Sequence, residues 1–260
     1  MKKAICYSSV LSSEDHRQRL SVVKDAGFDG IEAPQFDTTQ EAEDVAGIAN
    51  EIGLEIHSVM GGTHWQMPLS EPDEEARRRG VAGIEKALHQ AAAMGAETVL
   101  VVPGVVNTDV SYEQAYEVSQ KSIRELLPIA EELNIMMCLE NVWNKFLLSP
   151  LEMRDYIDSF NSPLVQAYFD VGNILLYGYP EQWIKILGPR IKKVHIKDFN
   201  VGTGQFVGLL QGDVDYPKVM ATFRSIGYDG YITAELSPYS QFPKQFVYDT
   251  AAQMDAILAS

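Results

Sequence analysis

The chain has 260 residues, 46% of them hydrophobic, and a formal net charge of −15 from 36 acidic and 21 basic side chains. That length suits one (β/α)8 barrel, which takes about 250 residues, and the apolar content can fill its core. The acidic balance repels phosphate backbones and so argues against a nucleic-acid partner, while leaving room for a locally basic pocket that accepts a small anion.

At the N-terminus, MKKAICYSSVL reads as a first strand. Two lysines before a short apolar run imitate a signal peptide, but the run is too short, and polar Ser12, Ser13, Glu14 and Asp15 follow at once. SEDHRQRLSVVKDAG then carries helix signals: an acidic start, apolar Leu20, Val22 and Val23, and a stop at Gly27. Strand and helix patterns alternate from there. Strands fall at 28–34 (FDGIEAP), 54–60 (LEIHSVM), 97–104 (ETVLVVPG), 135–142 (IMMCLENV), 165–173 (VQAYFDVGN), 191–198 (IKKVHIKD) and 230–237 (GYITAELS). Helices fall at 40–53, 71–95, 111–134, 149–160, around 180–187, at 216–227 and from about 243 to 258. A longer loop with Gly61, Gly62, Trp65 and Pro68 follows the third strand. Regular alternation predicts a parallel sheet, and eight βα units in this length favour a single closed (β/α)8 TIM barrel over 1–260. No GxGxxG follows the first strand, which removes the main support for a dinucleotide-binding sheet. Cys6 and Cys138 each lie in an apolar run and suggest no disulfide framework, which fits a reducing cytoplasm. No stretch approaches the roughly 18–20 apolar residues of a membrane helix, so no membrane partner is expected.

In this fold the active site lies at the carboxyl ends of the strands. Four consecutive strands each close on a metal-competent side chain: Glu140 in LEN, Asp170 in FDVGN, His195 in VHIKD and Glu235 in AELS. A lone carboxylate at such a position is often a helix cap or an ion-pair partner. Three at one barrel mouth would repel one another without a cation, and one divalent metal ion removes the difficulty. Three oxygens and one imidazole suit Mn²⁺ or Mg²⁺, with Co²⁺ and Zn²⁺ also within reach. Four ligands leave positions for two substrate oxygens, such as the carbonyl and neighbouring hydroxyl of a ketose.

At CLEN, FDVGN, VHIKD and TAEL the sequence resembles the sugar phosphate isomerase/epimerase superfamily, the xylose isomerase-like barrels. The resemblance covers the whole barrel and is strongest from residue 135 onward. It implies a divalent metal on Glu140, Asp170, His195 and Glu235, with Glu140 and Glu235 also serving as the acid/base pair. The expected activity is isomerisation or epimerisation of a ketose or ketose phosphate by proton transfer through a metal-stabilised enediolate. The alternative on the same barrel is a lyase: a keto-inositol or dehydroshikimate dehydratase, or an enzyme cleaving 3-keto-glycosides. A barrel that binds sugar without catalysis is a third class. Tagatose-type epimerases carry a His three residues after the aspartate and an Arg shortly after the histidine. Here Asn173 and FNVGTG stand in those places, and IHSVMGGTHW, FDVGNIL and VHIKDF look closer to hexulose- and xylulose-phosphate branches. DNA-repair relatives need many histidines; this chain has five, of which His16 and His89 fall in helix patterns. Many members are dimers or tetramers, so a homo-oligomer is compatible, although no interface signature is visible.

Further substrate-binding candidates sit near the strand ends. Glu32 closes the second strand, where it either contacts substrate or makes a structural hydrogen bond. His57 is read as closing the third strand, with His64 and Trp65 in the loop beyond as pocket walls. Lys197 lies two residues after His195, so strand alternation sends both inward, toward substrate or a neighbouring carboxylate. Asn141 and Asn173 are candidate hydrogen-bond partners of the substrate.

Overall fold

The computed structural model describes residues 1–11 and 15–260. Its elements in chain order are β1 (Lys2–Cys6), α1 (His16–Asp25), β2 (Gly30–Pro34), α2 (Thr39–Ile52), β3 (Glu55–Met60), α3 (Glu74–Met94), β4 (Thr98–Val101), α4 (Tyr112–Leu133), β5 (Met136–Glu140), α5 (Pro150–Asp158) and β6 (Val165–Asp170). There follow a single helical turn α6 (Val171–Ile174), α7 (Pro180–Leu187), β7 (Ile191–Ile196), a hairpin of β8 (Asp198–Asn200) and β9 (Gln205–Val207), α8 (Tyr216–Ser225), β10 (Tyr231–Ala234) and α9 (Pro243–Ala259). β1 to β7 and β10 close into a parallel barrel in the order β1-β10-β7-β6-β5-β4-β3-β2. The expected eight-stranded barrel is present, and no described helix is long and apolar enough to cross a membrane.

Local chemistry explains the boundaries. Asp15, Thr38, Asp73, Ser111 and Ser149 each cap a helix by accepting a backbone N–H, and Ser111 with Gln114 forms a reciprocal capping box. The helix start expected at Ser13 and Glu14 lies outside the described residues; the described helix begins at His16. Gly53 and Gly95 end α2 and α3 in the left-handed region that glycine adopts without strain. Strands buried on both faces read as nearly unbroken apolar runs, as TVLV of β4 does. The main core fills the shell between strands and helices. A smaller cluster of Leu100, Val102, Cys138, Val142 and Tyr168, with Met60 and Met136 against it, fills the barrel itself. Cys6 and Cys138 are buried and free, with no disulfide between them.

Two features depart from expectation. The strand expected to run through 198 ends at Ile196, and the chain then folds into the β8–β9 hairpin, turning through Asn200–Gly204 with Gly204 at φ +67°. β6 ends at Asp170, where the chain turns directly into α6.

Arg77 ties α3 to α4. It is 2% exposed, grips Glu74 and Glu125, and also donates to Ser122. Arg78 also reaches Glu74, but from an exposed position. Arg77→Ala is expected to lower stability by about 2 kcal/mol, read in thermal denaturation as a Tm lower by roughly 4–8 °C. Arg78→Ala should stay within about 0.5 kcal/mol.

Candidate metal centre and pocket

Side-chain alternation along the barrel strands builds the site. Asp170 on β6 pairs in register with His195 on β7, and Glu140 on β5 with Tyr168. Glu235 follows β10 directly, its N–H donating to the carbonyl of Ile196. The ligand atoms of Glu140, Asp170, His195 and Glu235 all lie within 4.8 Å of one another. His195 Nδ1 is 3.0 Å from Glu140 Oε1 and 3.7 Å from Glu235 Oε2.

Beneath this cluster the opposite ring nitrogen of His195 is anchored. Nε2 lies 2.7 Å from Glu32 Oε2, and the Cys6 thiol donates to the same oxygen at 3.3 Å. With Nε2 held by a carboxylate, Nδ1 is the nitrogen presented to the mouth. Lys197 rises from the end of β7, its Nζ 3.0 Å from Asp170 Oδ2 and hydrogen-bonded to Glu235 Oε2. Asp170 Oδ2 itself makes no hydrogen bond among the described residues, so charge alone compensates it.

Burial pushes the Glu140 carboxyl up to about 7 and also raises Asp170. Glu235 feels the same effect of burial, but His195 and Lys197 outweigh it and hold the group below its usual range. For His195 burial opposes the charge, yet Tyr168, Glu32, Cys6 and Glu235 together raise its pKa well above the ordinary histidine value. Four carboxyl groups thus face two cationic side chains in a buried space. Three carboxylates and an imidazole within 4.8 Å of one another, one of them offering a buried oxygen with no hydrogen bond among the described residues, form a donor set that can hold a divalent cation.

The cluster opens into a pocket of about 210 Å³ lined in part by His64, Trp65, Glu140, Asn173, Lys197 and Glu235. Burial holds His64 down at about 4, so it meets the pocket as a neutral imidazole. The Asn173 backbone N–H donates to Asp170 Oδ1, and its side-chain amide donates to the carbonyl of Asn141. Gly172 has a steric reason: a Cβ there would fall 2.5 Å from the Lys197 carbonyl and 2.6 Å from its Cγ.

Three candidate substrate-binding residues lie outside the pocket lining. Glu32 is 1% exposed and lies under His195, so it makes the structural hydrogen bond rather than touching the pocket. His57 does not close its strand, because β3 continues three residues to Met60. It is buried inside the barrel, stacked on Tyr231 at 4.1 Å and 3.1 Å from Thr233 Oγ1, and burial keeps it neutral. Asn141 spends its amide on the Asp170 backbone, donating to its carbonyl at 2.8 Å and accepting its N–H at 2.9 Å, which clamps β5 to β6. Trp143 and Phe206 were missed. They stack at 4.7 Å and form a pocket wall, with the Trp143 indole donating to the Asn173 carbonyl. The turn residues of FNVGTGQFV were the available signal for the hairpin that carries Phe206.

The chain is 25% identical to L-ribulose-5-phosphate 3-epimerase UlaE of Escherichia coli O1:K1 / APEC over 234 residues, 84% of this chain and 81% of that one. Its fold matches 3-keto-D-glucoside 4-epimerase YcjR from E. coli with a TM-score of 0.84 at 19% identity, over the full length of both chains. It also matches the IOLI protein, solved with a bound zinc atom, with a TM-score of 0.83 at 18% identity, covering 100% of this chain and 98% of that one. Residues 20–255 match the xylose isomerase-like TIM barrel family, and the chain belongs to it.

Proposed function

We propose that this chain is a metal-dependent epimerase of a ketose or ketose phosphate, with Glu140 and Glu235 as the proton-transfer pair. The observation that carries the reading is the convergence of two glutamates, an aspartate and a histidine within 4.8 Å at the barrel mouth, beside a pocket sized for a small polar molecule. The similarity to a ribulose-phosphate 3-epimerase over most of both chains supports the same reaction class.

Glu140, Asp170, His195 and Glu235 would hold the ion. Three hard oxygens and one imidazole favour Mn²⁺ or Mg²⁺, while the zinc in the related IOLI structure supports keeping Zn²⁺ and Co²⁺ open. Such an ion supplies Lewis-acid stabilisation of the negative charge that develops on a carbonyl oxygen during enolisation. The chain's own residues do the rest. The two glutamates come from β5 and from the end of β10, 3.0 Å and 3.7 Å from His195 Nδ1. One removes the proton from the carbon beside the carbonyl, and the other delivers a proton to the opposite face, which inverts that carbon. Without metal their pKa values are pushed apart, Glu140 up by burial and Glu235 down by His195 and Lys197. Lys197 contributes a positive charge at the pocket floor, where it offsets anionic character on the substrate. Trp65, Trp143 and Phe206 wall the pocket with aromatic surface that limits water at the reacting carbon.

In D2O, the Mn²⁺-loaded protein should wash deuterium into one ketose or ketose phosphate of a panel, at the carbon beside the carbonyl, as seen by proton NMR. Glu140→Gln and Glu235→Gln should each slow that exchange by about 10²–10⁴-fold. Net loss of ketose with a new enone absorbance would identify a lyase instead. No exchange on any compound by metal-loaded protein would remove the epimerase reading.

Metal binding should also depend on pH. Without metal, Glu140 keeps its proton up to about 7 and His195 stays protonated above its ordinary range. Ligation needs Glu140 ionised and His195 Nδ1 bare, so binding releases protons. Affinity should therefore rise with pH through that window, about tenfold per unit for each proton released. Calorimetric Mn²⁺ titrations in buffers of different ionisation enthalpy measure the release directly; an affinity that does not change with pH would contradict these protonation states.

A further inference from the structure

A second, larger cavity of about 560 Å³ adjoins the reaction pocket and shares Lys197, Phe206 and Glu235 with it. Its far wall is uncharged. Ser8, Gln211, Ser237 and Gln253 offer hydroxyls and carboxamides, and among the described residues none of these side chains has a protein hydrogen-bond partner. Aromatic surface completes it: Phe206 from the hairpin and Tyr239 from the loop after β10 stand 42% and 43% exposed.

A phosphate dianion calls for guanidinium or ammonium groups, or a helix N-terminus aimed at it. Among the described residues, the lining holds a single cation, Lys197, which is already paired with Asp170 and Glu235. Beside the far wall, Tyr239 donates its hydroxyl to a carboxylate, Asp249, at 3.2 Å. Carboxamides and hydroxyls, each able to donate and accept, match vicinal sugar hydroxyls, and aromatic faces attract the positively polarised C–H faces of a sugar ring.

We infer that this cavity holds an uncharged sugar unit joined to the reacting ketose, so that the substrate is a keto-sugar glycoside rather than a sugar phosphate. The inference rests on the proposed enolising site only for what happens at the ketose end. The ligand spans both cavities, its keto end among Glu140, Glu235 and Lys197 and its second ring between Phe206, Tyr239 and the two glutamines.

The test follows the side-chain amide signals of Gln211 and Gln253 by ¹⁵N NMR in the metal-loaded protein, assigned with Gln211→Glu and Gln253→Glu. Maltose, a neutral two-ring sugar, is titrated against inorganic phosphate at matched ionic strength. Maltose should shift both signals saturably in the millimolar range, and phosphate should leave them in place. Shifts with phosphate but not maltose, or with neither, would overturn the assignment. The maltose titration involves no enolisation, so the two readings fail separately. A maltose response without deuterium exchange on any ketose leaves the cavity assignment standing and removes the epimerase reading; exchange without a maltose response does the reverse.

Discussion

Like charges held close together in a buried space govern this structure. Glu140, Asp170 and Glu235 place carboxylate oxygens within 4.8 Å of one another around a fully buried imidazole, with Glu32 beneath it. At that distance, with an effective dielectric constant of 20, each like-charged pair repels by roughly 3 kcal/mol. Several such pairs rival the whole stability of an ordinary domain, about 5–15 kcal/mol. The chain's own groups meet the problem in two ways: burial lets Glu140 retain a proton up to about 7, and the Lys197 ammonium lies against Asp170 and Glu235. Both responses are those of a site short of positive charge.

The scaffold is organised to hold these groups in place. Parallel register sets Asp170 beside His195, and the Asn141 amide locks the Asp170 backbone by two reciprocal hydrogen bonds. Glu32 and Cys6 fix the far edge of the imidazole. Gly172 lets the turn after β6 press against Lys197, where a methyl group would collide. None of these residues needs to touch substrate to matter, because each determines where a ligand atom or the lysine can be.

Much of this was legible in the sequence. Eight apolar runs separated by amphipathic stretches gave the barrel, because parallel strands buried on both faces leave that pattern. The four cluster residues stood out because each polar side chain directly followed an apolar run. The same rule misplaced His57: an apolar run containing a histidine does not show which residue is last, and β3 continues to Met60. Glu32 was misplaced in the same way, since β2 continues to Pro34, while Asn141 does follow the end of β5; whether such a side chain faces the pocket or turns to a neighbour depends on tertiary contacts no local pattern encodes. Trp143 and Phe206 come together from β5's loop and the hairpin, a pairing between distant segments that spacing alone cannot announce.

The proposed chemistry depends above all on one divalent ion held by Glu140, Asp170, His195 and Glu235. Asp170 decides it best, since it is fully buried and takes no part in the proposed proton transfer. The measurement is Mn²⁺ binding by electron paramagnetic resonance on the wild-type chain and on Asp170→Asn, with circular dichroism confirming that both are folded. Each wild-type chain is expected to hold one tightly bound ion, with an affinity at least about tenfold weaker in the variant. No bound ion in the wild type, or equal binding in a folded Asp170→Asn, would contradict this expectation.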